Sequence, residues 1–280
     1  MSRSILYLII SLIGLLSCQQ KPEKTYPLLT IHTEFGDMDM ILYEETPKHK
    51  ARFLDLARKQ SYDSTTLHRI MPEYLIQGGD LLRKPNREFV PQLPAEIHPN
   101  LLHRRGAVGA VRKHAADNPE RRSNGSQFYI VLGRKYSHEE LDRLQRRHNY
   151  RLLAPKVRQL LDSGLYPALQ DTAQRLQESQ NVRGMVDWVL AQDSLVEKAF
   201  APQPLLSFQE RDMQLYTREG GLPERDGQYT IFGRIVSNLQ ALEELSKVET
   251  DGLHEPLSPV YLRISVRYIG EEEWKKLAGG

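Results

Sequence analysis

The stretch LHRIMPEYLIQGGD, residues 67–80, decides how the rest of this 280-residue chain is organised. Apolar and polar side chains alternate along it, Pro72 ends a first extended run, and residues 74–77 form a second short strand. The glycine pair at residues 78–79 then breaks the pattern, where the backbone either turns or comes close to a ligand. Because alternate residues of a strand share one face, one wall is predicted to carry an amide and apolar side chains together.

Three further segments carry comparable mixtures of glycine, amide and aromatic residues: GAVGAVR at residues 106–112, NGSQFYI at 124–130 and DGQYTIFG at 226–233. Together with residues 67–80 they resemble the signature of the cyclophilin-type peptidyl-prolyl isomerases. In that family an F-H-R…Q-G-G-D run builds one side of the active groove. Leu67 stands here at the position of the leading aromatic residue. The resemblance covers roughly residues 26–133 and 222–269.

Short strands dominate those two stretches. Alternation of apolar residues at 29–43 indicates a β-hairpin, and 260–268 reads as a closing strand. A helix is predicted to follow Thr46, which is placed to cap it, and a second helix spans 238–246. Many short strands with two helices suggest a closed antiparallel barrel. The resemblance independently implies an eight-stranded barrel capped by two helices.

The segment at residues 135–221 breaks this strand pattern and is predicted to be an inserted helical subdomain of four or five helices. Capping boxes at Ser137-x-x-Glu140 and Ser207-x-x-Glu210 give the helix starts, and prolines, Pro155 among them, divide the segment. Its apolar stripes are expected to pack on each other or on the barrel. The predicted barrel then comprises residues 26–134 and 222–280.

Composition narrows the function classes. Hydrophobic residues make up 40% and charged residues 26%, which is enough apolar surface for a packed core. The net charge of +2 does not suggest a nucleic-acid partner. A single cysteine excludes an internal disulfide and a cysteine-based zinc site. We expect no metal and no cofactor, and we expect the chain to act as a monomer.

The N-terminal residues 1–17 have the layout of a secretory signal, with Arg3 before a short apolar run. The run ends in LLSC, which resembles a bacterial lipobox, so Cys18 is predicted to be the lipidated residue after cleavage. Residues 18–25 would form a tether, and the protein would be lipid-anchored in a bacterial cell envelope, facing the periplasm or the outside. An ordinary signal peptide cut nearby and a free thiol are the alternatives.

The resemblance implies an isomerase of X-Pro peptide bonds that acts on proline-containing polypeptides of exported proteins. It assigns the catalytic role to Arg69, with Gln77 beside the substrate carbonyl. It also implies a substrate groove lined by Tyr74, Leu75, Val111, Arg112, Gln127, Tyr129 and Tyr229. His68 and Asp80 are expected to brace the fold. Arg69 alone could be a surface arginine, and Tyr74 and Tyr129 could be plain core aromatics.

Two positions depart from the family pattern. Glu224 and Arg225 occupy places where an aromatic residue and a leucine often close the pocket. This change and Tyr229 at the usual groove histidine argue against binding of cyclosporin-type inhibitors. A non-catalytic proline-peptide-binding or chaperone module of the envelope remains the rival hypothesis. A metal-dependent hydrolase is disfavoured because His98 and His103 lack helix-face spacing and no His-Glu-x-x-His motif occurs.

Overall fold

A computed structural model describes residues 24–113, 117–200, 202 and 205–279. The signal segment, Cys18 and most of the expected tether lie outside these described residues. No helix within them combines the length and the apolar character needed to cross a bilayer.

Eight strands form the body of the protein: β1 (Thr25–Thr33), β2 (Gly36–Leu42), β3 (Thr65–Met71), β4 (Leu75–Gly78), β5 (Ala107–Arg112), β6 (Ser123–Val131), β7 (Ile231–Ile235) and β8 (Val260–Gly270). They close into a barrel in the order β1-β2-β7-β5-β6-β4-β3-β8, with every pairing antiparallel. The predicted eight-stranded barrel is therefore confirmed. Because β8 pairs with β1, no edge strand is left open.

Two helices cover the ends of the barrel core, α1 (Pro47–Arg58) and α7 (Leu239–Ser246). Inward-facing strand residues and the apolar faces of both helices form one continuous cluster. Phe53 of α1 lies at its centre, with the rings of Tyr62, Phe128 and Phe232 within 5.0–5.4 Å of it, centroid to centroid. These inward residues leave the outer face of the strands free to carry a site.

The start of α1 corrects one expectation. Thr46 makes no capping hydrogen bond; its hydroxyl lies 3.5 Å from the carbonyl oxygen of Tyr43. The carboxylate of Glu96, in the loop before β5, accepts instead from the main-chain N–H groups of Lys48 and His49, at 3.0 and 2.9 Å. A negative charge at a helix N-terminus also suits the helix dipole. A cap supplied from a distant loop leaves no local signal in the sequence.

In the described part of the segment between β6 and β7 there are five α-helices: α2 (His138–Asp162), α3 (Pro167–Glu178), α4 (Val182–Leu190), α5 (Asp193–Ala199) and α6 (Glu210–Arg218). The capping box of Ser137 and Glu140 is present, but the one predicted at Ser207 is wrong. Helix α6 is instead capped by Gln209 with Asp212. Pro155 lies inside α2 rather than dividing the segment, because the same core buries residues on both sides of it.

The inserted helices leave and rejoin the barrel at one point. The N–H of Gly221 donates to the carbonyl oxygen of Arg134 at 3.0 Å. Gly221 has φ of +153°, and a Cβ there would lie 2.2 Å from the carbonyl oxygen of His103. A third segment, the loop before β5, is thus pressed against this junction. A final helix, α8 (Glu271–Ala278), was not anticipated; its Trp274 stacks on Tyr26 at 4.7 Å.

Candidate functional site

An irregularity in β3 sets the direction of Arg69. Leu67 pairs with Gly78 and Arg69 pairs with Gln77, so β3 carries one extra residue, His68, between the two pairs. In a regular strand Leu67 and Arg69 would share a face. The extra residue puts Leu67 in the core, where it is 1% exposed, and leaves Arg69 exposed on the outer face.

Arg69 begins a row of residues that crosses four strands on the outer face of the barrel. Gln77 pairs with Arg69, Tyr129 with Gln77, and Gly109 with Tyr129. Neighbouring strands lie about 4.8 Å apart, so the backbones of Arg69 and Tyr129 are about 10 Å apart. Gly109 makes room for the Tyr129 ring, because a Cβ there would lie 2.2 Å from the ring Cζ. Arginine, amide and aromatic ring therefore stand side by side.

A second apolar cluster lies next to this row. It includes residues that the sequence predicts for the proline pocket and others that it does not. Its buried members are Leu75, Ala107, Tyr129, Val131, Leu222 and Ile231. Its half-buried walls include Tyr74, Leu101, Val111 and Tyr229. This cluster is separate from the core inside the barrel. An apolar cluster on the outer barrel face, with half-buried aromatic rings among its members, is suited to hold a small apolar group, and we call it the pocket.

The Gln77 amide is held in one orientation. Its Nε2 lies 3.1 Å from Oε1 of Gln127 and 3.2 Å from Nε2 of His68. Burial lowers the pKa of His68, so at neutral pH its ring is neutral and accepts through Nε2. His68 thus braces the amide beside Arg69. Asp80, also expected to brace the fold, accepts from the N–H of Leu82 at 3.1 Å.

The glycine pair at the end of β4 is required by packing in the core. A Cβ at Gly78 would lie 2.8 Å from Cδ2 of Leu67, and one at Gly79 would lie 2.8 Å from the Phe128 ring. Gly79 also has φ of +74°, which side chains disfavour. Of the two roles that the sequence left open, the structure therefore shows a turn fitted to core packing.

The remaining predicted residues form the rim. Val111 and Arg112 end β5, and both are half-buried. Nε of Arg112 donates to the carbonyl oxygen of Gln228 at 3.1 Å, and its guanidinium lies 4.2 Å from the ring centroid of Tyr229. Gln127 is half-buried on β6, between Gln77 and the end of β5. The structure therefore brings all nine predicted groove residues to one outer face.

Three buried groups behind the pocket were not found from the sequence as parts of the site. The hydroxyl of Tyr129 lies 2.9 Å from Nε2 of His103, whose Nδ1 lies 2.9 Å from Oδ1 of Asp226. The other oxygen, Oδ2, accepts from the hydroxyl of Tyr216 at 2.5 Å. A carboxylate only accepts, so Nδ1 of His103 carries a proton and donates to Asp226. This chain links the pocket floor to inserted helix α6.

Burial keeps the hydroxyls of Tyr129 and Tyr216 un-ionised and hydrogen-bonded. Burial, reinforced by the charge of Asp226, raises the pKa of both Tyr129 and Tyr216 well above the ordinary value. His103 and Tyr216 are 0% exposed and Tyr129 is 3% exposed. Tyr129 and Asp226 lie in sequence motifs, but nothing in the sequence indicates their contact through His103, because these residues are far apart along the chain. The pocket floor is thus fixed by contacts from three separate segments.

The turn at Pro223–Arg225 brings both departures from the family pattern to the pocket. The guanidinium of Arg225 lies 4.8 Å from the ring centroids of both Tyr74 and Tyr229. Glu224 is half-buried, and burial raises the pKa of its carboxyl. Among the described residues no group of three or more potential metal ligands is found.

Comparisons with known proteins agree on one family. The family model described as "Cyclophilin type peptidyl-prolyl cis-trans isomerase/CLD" matches residues 28–150 and 209–266. These two stretches hold all eight strands apart from the ends of β1 and β8, and the gap between them holds most of the inserted helices. The match therefore covers well over half of the chain.

Curated relatives share the same stretch. A Streptococcus pyogenes protein named "Putative bifunctional phosphatase/peptidyl-prolyl cis-trans isomerase" is 27% identical over 246 residues, 85% of this chain and 38% of that protein. Peptidyl-prolyl isomerase cwc27 of Rhizopus delemar is 35% identical over 123 residues, 42% of this chain and 21% of that protein. Peptidyl-prolyl cis-trans isomerase CYP18-2 of Arabidopsis thaliana is 32% identical over 116 residues, which are 40% of this chain and 68% of that protein. The chain thus spans much less than two thirds of the first two.

Solved structures show the same fold. A Cryptosporidium parvum cyclophilin type peptidyl-prolyl cis-trans isomerase superimposes with a TM-score of 0.51 at 19% identity, covering 87% of this chain and 98% of that one. The same protein in the presence of the dipeptide Ala-Pro gives a TM-score of 0.50 at 18% identity. At this identity the likeness concerns the fold.

The buried hydrogen-bond network behind the pocket predicts that the hydroxyls of Tyr129 and Tyr216, which do not contact each other, make coupled contributions to stability. Tyr216→Phe deprives a buried carboxylate of a donor and should lower the free energy of unfolding by about 1.5–3 kcal/mol. With Tyr129→Phe, a double-mutant cycle from urea unfolding should give an interaction of at least about 0.5 kcal/mol. Tyr166→Phe, in another cluster of the insertion, is the control and should be additive with Tyr129→Phe. If the effects of Tyr216→Phe and Tyr129→Phe on the free energy of unfolding are additive too, the predicted coupling is wrong.

Glu224 predicts a pH dependence of stability. Its folded-state pKa lies above the ordinary value of 4.5, so the folded protein holds this proton more tightly than the unfolded chain. The protonated Glu224 carboxyl therefore contributes to the free energy of unfolding below about pH 4.5. This contribution is lost as the pH rises through the folded-state pKa. Glu224→Gln should therefore gain stability relative to wild type between pH about 4 and about 7.5 in urea unfolding. An equal gain for the exposed control Glu197→Gln would show that Glu224 is not responsible.

Proposed function

This chain belongs to the cyclophilin-type peptidyl-prolyl cis-trans isomerase family, and from that premise we propose that it accelerates cis-trans isomerisation of X-Pro bonds in exported polypeptides. The observation that carries the proposal is the position of Arg69. It lies exposed on the outer face, one strand from Gln77 and two from the Tyr129 pocket. The side chain of Arg69 has no hydrogen-bond or ion-pair partner among the described residues, so its guanidinium donors are available to a substrate.

The reaction needs geometry rather than covalent chemistry. Rotation about a peptide bond breaks amide resonance, with an uncatalysed barrier of about 18–20 kcal/mol. In the twisted state the proline nitrogen becomes pyramidal and regains a lone pair. An enzyme accelerates the rotation by binding this state better than either planar form. No nucleophile, metal or cofactor takes part in such a step.

Arg69 supplies the donor in this proposal. A fixed N–H group aimed at the proline nitrogen stabilises the twisted amide selectively. Arginine remains charged at all working pH values and its donors form a rigid fork. The proline ring would enter the apolar pocket of Leu75, Tyr129 and Ile231, which places the bond to be rotated near the row that Arg69 begins.

The other groove residues orient the chain. Gln77 would bind the carbonyl oxygen on the substrate, exchanging one of its present partners, Gln127 or His68, for that oxygen. Val111 and Arg112, at the end of β5, would offer main-chain groups to an extended peptide. Tyr74 and Tyr229 would close the sides of the pocket. One chain builds the entire groove, so the reaction requires no second subunit and we propose a monomer.

The proposed place of action is the bacterial envelope. A signal segment followed by LLSC supports lipidation of Cys18, and acyl chains anchor a protein by burying methylene groups in the bilayer. The short polar stretch after Cys18 would hold the barrel close to the membrane. Exported polypeptides that fold there would be the substrates.

Arg69→Ala tests the catalytic proposal. Loss of the donor should lower kcat/KM for a short X-Pro peptide by about 100- to 1,000-fold, as for other lost transition-state donors. Arg69→Lys keeps the charge without the fork and should recover only part of the activity. Arg263→Ala, an exposed arginine on β8, is the matched control and should retain wild-type activity. Equal rates for wild type and Arg69→Ala would instead support a non-catalytic peptide-binding module.

Cys18→Ser tests the anchor. In bacterial cells fed labelled palmitate, the wild-type protein should incorporate label and sediment with membranes, because the acyl chains hold it there. The variant should carry no label and leave the membrane fraction. Label and sedimentation that are the same in both proteins would exclude Cys18 as the attachment point.

A further inference from the structure

The groove is surrounded by arginines that lack acidic partners. Arg69, Arg112 and Arg225 border the pocket, and no carboxylate of the described residues lies within ion-pair distance of any of them. Arginines in and beside the inserted helices differ. Arg134 pairs with Glu140 at 3.0 Å, and others there also face carboxylates. Charge at the groove is therefore left uncompensated.

Arg225 is the most unusual of the three. Its guanidinium lies between two aromatic walls of the pocket, 4.8 Å from the ring centroids of Tyr74 and Tyr229. Its Nε is buried and has no hydrogen-bond partner among the described residues. A buried donor without an acceptor costs free energy in the unliganded protein. The Nη donors of the same guanidinium are also unpaired among the described residues, so a ligand acceptor at the edge of the group forms hydrogen bonds that the unliganded protein lacks.

A second cation adds to the positive charge at Tyr229. Cζ of Arg112 lies 4.2 Å from the ring centroid and that of Arg225 lies 4.8 Å from it, so two guanidinium groups contact one aromatic ring. The neighbouring Glu224 does not neutralise them, because it forms no ion pair and burial favours its uncharged form. The rim of the pocket thus combines aromatic faces, two cations and an unused donor.

Building on the proposed isomerase function, we propose that this groove selects proline segments carrying an aspartate or glutamate within two residues of the proline, with Arg225 as the residue that binds the carboxylate. Extended chains advance about 3.3–3.6 Å per residue, so a side chain one or two residues from a proline in the pocket reaches the rim. A carboxylate there gains charge-assisted hydrogen bonds, which are stronger than neutral ones. Arg112, which contacts the same Tyr229 ring, adds electrostatic attraction.

Blocked peptides that differ only in Glu, Gln or Lys next to a single proline provide the test, with the residue placed before or after the proline. Cis-trans exchange is measured by NMR without a coupling protease, and affinity by titrating the full-length protein into each peptide. Wild type should favour Glu over the isosteric Gln by about 5-fold in kcat/KM at about 0.05 M salt, mostly through KM. The preference should fall toward about 2-fold at about 1 M salt.

Arg225→Leu should bring the ratio of Glu to Gln close to 1 while the Gln peptide is still turned over. Arg58→Leu removes another arginine stacked on a tyrosine, on a different face, and should keep the preference. A ratio of 1 in wild type overturns the inference. So does an equal rise for all three peptides in Arg225→Leu, since Arg225 would then merely obstruct the pocket. If no peptide is turned over, the proposed function fails, and the same ratios in the titrations still decide the inference.

Discussion

The extra residue at His68 is the constraint on which the rest of the site depends. It turns β3 by one step, so that Leu67 enters the core while Arg69 leaves it. Gly78 accepts the displaced Leu67 without a clash, and Gln77 braces against the inserted His68. One irregularity thus joins core packing to the exposed guanidinium. Removing it would return Arg69 to the face of Leu67, whatever the remaining strands did.

Local patterns predicted most of the barrel because each strand alternates and each turn carries its own glycine or proline. The row of Arg69, Gln77 and Tyr129 also depends on this alternation, because β3, β4 and β6 are neighbours in the barrel. What failed were contacts between distant segments. The cap on α1 comes from Glu96, and α6 begins two residues later than a cap at Ser207 implies and is capped by Gln209. Propensity indicates that a helix starts, but tertiary packing chooses which side chain caps it.

The same limit explains why the support of the pocket could not be found from sequence. Tyr129, His103 and Asp226 converge from β6, from the loop before β5 and from the turn before β7, and Tyr216 reaches them from the insertion. A family motif marks Tyr129 and Asp226 but says nothing of their mutual contact. The inserted helices are therefore more than an appendage, since α6 contributes one end of a buried hydrogen-bond chain. Its other end is the floor of the pocket.

The charge at the rim follows from this architecture. A turn held against α2 and α6 presents Arg225 where an apolar wall would otherwise close the pocket, and stacking on Tyr74 and Tyr229 partly compensates the guanidinium for lost water. Aromatic faces satisfy the flat sides of that group but leave its edge donors unused. No acceptor among the described residues completes them, so a ligand acceptor can do so. The same substitution that removes apolar surface for a proline ring thus creates a place for a carboxylate beside it.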